Sequence, residues 1–318
     1  SGRAVPDDGR CGFASKRNRV FILMKKCALV TGASGFTGRY MVEELSAAGY
    51  DVVGLASDAL DDSANYISAD LTDHAQLIEV VTSLQPDVVV HLAALAFVGH
   101  GDASAFYNVN LIGTRNLLEA LCACDKKPEA VLLASSANVY GNQSSGFLSE
   151  TALPNPANDY AVSKIAMEYM ARLWMDKLPI VIARPFNYTG VGQDEKFLLP
   201  KIVSHFRRKA PVIELGNLDV SRDFSDVRSV VNAYLKLVKS CPQGETFNVA
   251  SGSIYSLMDI IQLCTELTGH AIEVTVNPDF VRTNEIKELG GDASKLTGRI
   301  GDWKKAELRE TLSWMLLG

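Results

Sequence analysis

The chain has 318 residues, of which 47% are apolar and 21% charged, and a formal net charge of -6. That composition excludes a predominantly disordered chain, and the length, about twice the usual ~150 residues of a domain, suits one large unit or two joined ones burying about 75% of their unfolded surface without a disulfide or metal staple. The acidic balance excludes a general polyanion binder, and no apolar run approaches the ~18 residues of a membrane-spanning helix.

Residues 1–23 stay polar up to Val20-Phe21-Ile22-Leu23, too short an apolar stretch for a signal peptide, so they are expected to lie outside the fold, with Met24 a natural start. From Lys25 strands and helices alternate. Cys27 to Val30 reads as a strand, Arg39 to Ala48 as a helix, Asp51 to Leu55 as a second strand and Ala64 to Ser68 as a third. A helix from Asp73 to Leu84 leads to a fourth strand, Pro86 to Leu92. Then follow a long helix, Ala103 to Cys124, a strand, Ala130 to Ser135, a second long helix, Asn158 to Lys177, and a sixth strand, Ile180 to Ala183. Continuous β-branched runs between amphipathic helices imply an α/β fold, a doubly wound parallel sheet covered on both faces. After Arg184-Pro185 the rhythm changes to loops rich in Gly, Asn and Asp, where substrate-contacting material is expected. The six cysteines, Cys11, Cys27, Cys122, Cys124, Cys241 and Cys264, are scattered, which points to a reduced, cytoplasmic chain with no metal site.

Between the first strand and the first helix stands Thr31-Gly32-Ala33-Ser34-Gly35-Phe36-Thr37-Gly38, with glycines spaced G-x-x-G-x-x-G. A backbone that turns sharply there can approach a pyrophosphate, whose charge is met by amides at the helix N-terminus. The cofactor so implied is a nicotinamide dinucleotide. At the end of the second strand Leu55-Ala56-Ser57 puts Ala56 where a carboxylate would pair with an adenosine ribose diol, and Asp58 follows. Without that carboxylate a 2′-phosphate is tolerated and Ser57 can hydrogen-bond it, so NADP(H) is preferred over NAD(H). Asp70, after the third strand, is placed to accept from the adenine amino group or simply to open a helix.

Tyr160 and Lys164 are four residues apart on a helix, hence on one face. A tyrosine near its reference pKa of ~10 is a poor acid-base partner at neutral pH, and a nearby ammonium favours the phenolate. Ser136 lies at the carboxyl edge of the sheet, where its hydroxyl can hold a substrate oxygen beside Tyr160. His91, inside an apolar run, reads as structural, and His100 is given no role.

The glycine loop, His91-Leu92-Ala93-Ala94, Asn108 to Thr114, Ser135-Ser136-Ala137-Asn138-Val139-Tyr140-Gly141, Tyr160-Ala161-Val162-Ser163-Lys164 and Arg184-Pro185-Phe186-Asn187 together resemble the extended short-chain dehydrogenase/reductase family, over nearly the whole chain after Met24. The resemblance implies a Rossmann domain over 24–185 with return elements at about 226–262, and a smaller α/β sugar-nucleotide domain over 186–225 and 263–318. It adds Leu71, Leu92, Ala93, Ala94 and Asn110 to the cofactor-binding residues, alongside Tyr160 and Lys164. Family members that dehydrate a sugar carry an acidic pair after the Ser/Thr. Here those positions are Ala137 and Asn138, which cannot exchange a proton as a carboxylate would.

A reductase and an epimerase remain. The stretches Ala183 to Gln193 and Asp219 to Val227 are similar to those of reductases acting on GDP-4-keto-6-deoxy-D-mannose, which form GDP-D-rhamnose, and Arg282 and Gly291 to Leu296 resemble the GDP-mannose dehydratase and reductase branch. That likeness implies Arg222 and Arg282 on the diphosphate, since planar guanidinium groups suit phosphate recognition. It also implies Asn187, Ala137 and Asn138 on the substrate side, and Lys201 as a guanine- or phosphate-side donor. Phe97 and Val98 line the hexose pocket in this reading, a core contact being the other option for Phe97. The expected activity is NADPH-dependent reduction of the C4 ketone of a nucleotide-linked 4-keto-6-deoxyhexose, with Ser136, Tyr160 and Lys164 catalytic. The alternatives are a 4-epimerase with tightly held NAD and, against the Tyr160/Lys164 pair, a non-catalytic NADP sensor. The two long helices resemble those that form a four-helix homodimer interface in the family.

Overall fold

The computed structural model describes residues 25–57, 65–96, 102–141, 146–281 and 287–318. Among them the apolar runs become strands β1 (Cys27–Thr31), β2 (Asp51–Ala56), β3 (Tyr66–Ser68), β4 (Val88–His91), β5 (Ala130–Ala134), β7 (Ile180–Pro185) and β11 (Thr246–Val249). They form one parallel sheet in the order β3-β2-β1-β4-β5-β7-β11. The expected α/β Rossmann fold is therefore present. The strand order reverses direction between β1 and β4, which leaves a crevice at their carboxyl ends.

Helices cover both faces. Apolar residues of α1 (Phe36–Ala47), α7 (Val227–Ser240) and α9 (Ser294–Ile300) pack with alternate strand residues such as Ala28, Val30, Val90 and Leu132. The opposite side chains of the same strands, Leu29, Val89 and Val131 among them, meet α2 (His74–Leu84), α4 (Thr114–Ala123) and α5 (Asp159–Arg172). This alternation is the period-two consequence of strands buried on both faces.

A second sheet follows the order β12 (Ile254–Ser256), β10 (Ser221–Asp226), β14 (Glu288–Gly291), β6 (Phe147–Leu148), with β8 (Asn187–Thr189) also paired to β10. A parallel pair, β9 (Val212–Leu215) and β13 (Glu273–Val276), completes the strands. These pack with α6 (Leu198–Arg207), α8 (Leu257–Thr268) and α10 (Leu308–Leu317) around Ile202, Phe206, Ile260 and Leu312.

The interleaving is finer than the sequence boundaries. The return to the large sheet ends with β11 rather than near 262, because the apolar face of α8 (Leu257, Ile260, Ile261, Cys264) belongs to the second core. Conversely, Leu296 of α9 is buried against the large sheet.

The expected helix from Ala103 to Cys124 is broken into α3 (Ser104–Phe106), a π-helical stretch Tyr107–Gly113, and α4. The π stretch carries Asn110, whose Oδ1 accepts from Leu95 N at 2.8 Å and whose Nδ2 donates to Leu95 O and to Ser163 Oγ, each at 3.0 Å. Widened turns of this kind recur beside functional sites. No helix among the described residues is long and apolar enough to cross a membrane, and no group of three or more metal-ligating side chains occurs among them. Residues 1–24, Asp58, Phe97, Val98, His100 and Arg282 lie outside the described residues.

Candidate active site

The crevice at the strand carboxyl ends opens into a cavity of about 1120 Å³ that runs from the glycine loop to the second core. A single drug-sized ligand needs ~300–1,000 Å³, so this volume suits two ligands meeting end to end. One end is the glycine loop. A Cβ on Gly38 would stand 2.1 Å from Gly32 O, and one on Gly32, whose φ is +68°, would stand 2.8 Å from Ala93 Cα. Only glycine permits this approach of helix to loop. The N-cap of α1 is Gly35, with no side chain capping the helix, so the first amides of α1 are left for an anion. These residues fit the pyrophosphate of a nicotinamide dinucleotide.

Behind the loop a buried chain of hydrogen bonds joins Thr31, His91, Thr114 and Asn110. Ala93 N donates to Thr31 Oγ1 at 3.2 Å, and Thr31 Oγ1 lies 2.6 Å from His91 Nδ1. Thr114 Oγ1 donates to Asn110 O at 2.8 Å and therefore accepts from His91 Nε2, also at 2.8 Å. The network thus puts the His91 proton on Nε2, with Nδ1 accepting from Thr31. Burial, then the Lys164 charge, push His91 down to about 3, so it stays neutral. His91 is structural, as its apolar run implies.

At the middle of the cavity stand Ser136, Tyr160 and Lys164. Ser136 caps the short helix Ala137–Tyr140 by accepting Asn138 N at 3.1 Å, and its hydroxyl also bonds the Tyr160 phenol. Lys164, 5% exposed, donates from Nζ to Ala134 O at 2.8 Å, with Nζ 6.0 Å from the Tyr160 ring centre. Burial pulls Lys164 down to about 8, partly offset by the Glu168 carboxylate. Burial likewise pushes Tyr160 up to about 12, with Ser136 acting the other way. This corrects the expectation that Lys164 lowers the Tyr160 pKa. The ammonium is turned onto Ala134 O, and in the ligand-free protein desolvation of the phenol dominates.

The structure brings Gly32, Gly35, Phe36, Thr37 and Gly38 to the cavity wall, with Leu92 and Ala94 after β4. Ala137 and Asn138 line it beside Ser136, and Asn187, Lys201 and Arg222 line the far end. Other residues expected to contact the cofactor do not line the described cavity. Asn110 is buried with both amide atoms engaged, so it braces Leu95 and Ser163 rather than facing a cofactor. Leu71 is buried in the core and its carbonyl accepts Asn116 Nδ2 at 2.9 Å. Asp70 spends Oδ1 on the amide and hydroxyl of Thr72, both at 2.8 Å, a local turn before α2. Ser34, Ala93 and Ser57 are not on the described cavity wall. Lys201 donates to Glu214 O at 2.9 Å with Nζ 4.5 Å from the Phe280 ring centre, and Arg222 Nη1 donates to Ser221 O at 2.9 Å.

Sequence reasoning missed Tyr188, whose hydroxyl meets Thr37 Oγ1 at 2.8 Å and whose ring stacks on Phe36, tying the glycine helix to β8 across the cavity. It missed Ser135 as well, which lines the cavity and whose buried Oγ has no hydrogen-bond partner among the described residues. Glu168 and Arg184 were also missed. They form a two-pronged buried pair directly behind Lys164, with Nε to Oε1 at 2.8 Å and Nη2 to Oε2 at 2.6 Å. The signal for Glu168 was its place four residues after Lys164 on the same helix face.

A model of the NAD dependent epimerase/dehydratase family matches residues 28–250. A GDP-6-deoxy-D-talose 4-dehydrogenase of Aggregatibacter actinomycetemcomitans is 38% identical over 90% of this chain and 96% of its own length. A GDP-6-deoxy-D-mannose reductase of Pseudomonas aeruginosa is 33% identical over 91% of this chain and 97% of its own. Among solved structures, a putative epimerase from Burkholderia cenocepacia is 54% identical with a TM-score of 0.88, covering 92% of this chain and 97% of that one. RMD from Pseudomonas aeruginosa, complexed with NADPH, is 31% identical with a TM-score of 0.80, covering 92% and 98%.

Proposed function

The chain belongs to the NAD dependent epimerase/dehydratase family, NAD(P)-dependent enzymes acting on sugar nucleotides, and from that premise we propose that it reduces the C4 ketone of a GDP-linked 4-keto-6-deoxyhexose. The observation that carries this reading is local. Ser136, Tyr160 and Lys164 meet at the cavity, while Ala137 and Asn138 stand where a dehydrating enzyme needs carboxylates. Two relatives named for GDP-linked 6-deoxyhexoses, one of them for position 4, support the sugar class. Bound NADPH would supply the hydride. Ala56 in place of a carboxylate at the end of β2 supports NADPH over NADH, as does the NADPH in a 31% identical structure.

Tyr160, held at about 12, carries its proton at neutral pH, the state needed to protonate the alkoxide that forms as C4 is reduced. Ser136 holds that oxygen through the hydroxyl it shares with Tyr160, which fixes the carbonyl for attack. Lys164 would bind the nicotinamide ribose. Arg222, with Arg282, takes the diphosphate, and Asn187 and Lys201 contact the sugar nucleotide. Two copies of the chain pair through α4 and α5. Val162, Tyr169 and Leu173 fall on one face of α5 and its extension, and Tyr169 and Leu173 are 55% and 74% exposed.

The test is incubation with NADPH and GDP-, dTDP- and UDP-linked 4-keto-6-deoxy sugars, following loss of the reduced-nicotinamide absorbance and the configuration of the product. Turnover with the GDP sugar is expected, and Tyr160→Phe should lower it by ~10²-fold or more while keeping NADPH binding. The 54% identical structure described as a putative epimerase favours a second reading, inversion at C4 with retained NAD. Conversion without added NADPH, by protein that purifies with NAD bound, would establish that reading instead.

A further inference from the structure

Tyr160, Lys164 and Glu168 stand at successive turns of one face of α5. Glu168 is fully buried and Arg184 on β7 is 4% exposed. Arg184 is itself held from the far side, donating from Nη1 to Tyr140 Oη at 3.0 Å. The Tyr140 hydroxyl donates to Asn248 Oδ1 on β11 at 2.6 Å, and Asn248 Nδ2 donates to Leu148 O at 2.8 Å. Three charges, Lys164, Glu168 and Arg184, are therefore enclosed together, and every polar atom of the Glu168 carboxylate faces Arg184.

We propose that Glu168 and Arg184 are a positioning pair for Lys164. Glu168 supplies the negative charge that keeps the buried lysine protonated, and Arg184 occupies both carboxylate oxygens so that Glu168 does not draw the ammonium off Ala134 O and away from the cavity. A glutamate four residues from a lysine on a helix would otherwise pair with it directly. A buried carboxylate without a partner would also be strongly unfavourable. The fork of Arg184 satisfies it, and the Tyr140–Asn248 arm fixes where the fork stands.

Among the described residues, the groups facing Lys164 leave Glu168 as the source of negative charge. On α5 they are Tyr160, protonated, and Glu168. From β4 comes His91, neutral. From β5 and the residues after it come Ala134 O and the hydroxyls of Ser135 and Ser136, and from β7 comes the Arg184 guanidinium. Tyr188 and Tyr234, beyond Tyr160, both have pKa values raised by burial and carry no charge at neutral pH.

The role as stated rests on Lys164 working beside Tyr160 in the proposed reaction, so the decisive measurement uses ligand-free protein. In chain labelled with ¹³C-lysine, the Lys164 Cε resonance, assigned with Lys164→Met, is titrated in wild type, Glu168→Gln and Arg184→Lys. Loss of the carboxylate charge should lower the Lys164 titration by about one pH unit, and loosening the fork so that Glu168 reaches Lys164 should raise it by about one unit. Above the Lys164 pKa the site loses its charge, so the alkaline limb of NADPH consumption should move in the same opposite directions. An unmoved titration, or shifts of the same sign in both variants, would overturn the proposal. Should Glu168→Gln not fold, Arg184→Lys, which keeps a cation in the network, decides alone, and a titration that fails to rise overturns the role. Opposite NMR shifts without matching rate profiles would leave the pair standing and remove the reductase reading of Tyr160 and Lys164.

Discussion

Replacing Lys164 by methionine should make the folded protein more stable while ending turnover. Burial holds the Lys164 ammonium at about 8 against 10.5 for an unperturbed lysine. At ~1.4 kcal/mol per pKa unit, the charge costs the fold on the order of 3 kcal/mol at neutral pH. Methionine fills the space of the buried stem, removes that cost and leaves Glu168 and Arg184 as a balanced pair. The lost hydrogen bond to Ala134 O returns about 1 kcal/mol of it. A net gain of about 2 kcal/mol, or a few degrees in Tm, is expected. Below the folded-state value of about 8 both folded and unfolded chains hold the proton, and the full gap is present. Between there and 10.5 the unfolded chain holds a proton that the folded chain has shed, so wild type gains stability as pH rises and the gap closes. Tyr160 and Tyr234 titrate in both proteins and cancel in the difference. Thermal unfolding of ligand-free wild type and variant at neutral pH and near pH ~10 measures this. A variant less stable than wild type at neutral pH, or a gap of equal size at both values, would refute the reasoning.

Two further outcomes follow from the packing. Gly38→Ala would drive a Cβ to 2.1 Å from Gly32 O and 2.7 Å from Ala33 Cα, backbone atoms that cannot swing aside. Such overpacking costs about 1–3 kcal/mol, displaces the start of α1, and should weaken NADPH binding by about tenfold or more in a fluorescence titration. Wild-type affinity in that variant would show that the loop is not the pyrophosphate cradle. Leu173→Glu, at a residue 74% exposed, should leave folding untouched and convert a dimer to monomer in light scattering. A variant of unchanged mass would place the interface elsewhere.

The large sheet was legible because most of its strands are continuous apolar runs, buried on both faces and closed by turn residues. β11 escaped notice for the opposite reason. Thr246-Phe247-Asn248-Val249 is short and interrupted by Asn248, whose side chain is spent on Tyr140 and Leu148 rather than on solvent. The π stretch was equally hidden. Its sequence has ordinary helical periodicity, and its widened turn coincides with tertiary bonds from Asn110 to Leu95 and Ser163, which local propensity does not encode. The expected residues that do not reach the cavity wall share one cause. Leu71 and Asn110 sit beside the cavity in sequence order, but their side chains turn to the core, and sequence position alone does not give direction.

In the active site the spacing of Tyr160 and Lys164 reports a shared helix face and nothing about charge balance. A lysine enclosed to 5% exposure is poorly tolerated alone. The compensating carboxylate is four residues further along α5, and the group that restrains that carboxylate comes from β7, braced through Tyr140 by a strand some sixty residues later in the chain. The tyrosine-lysine motif is thus the exposed edge of an ionic cluster joining α5, β7 and β11. The strands that carry its other members are set by sheet order, so Arg184 and its brace become recognisable only once β5, β7 and β11 are neighbours. A net cation beneath the cavity is what this cluster leaves, two positive groups against one negative.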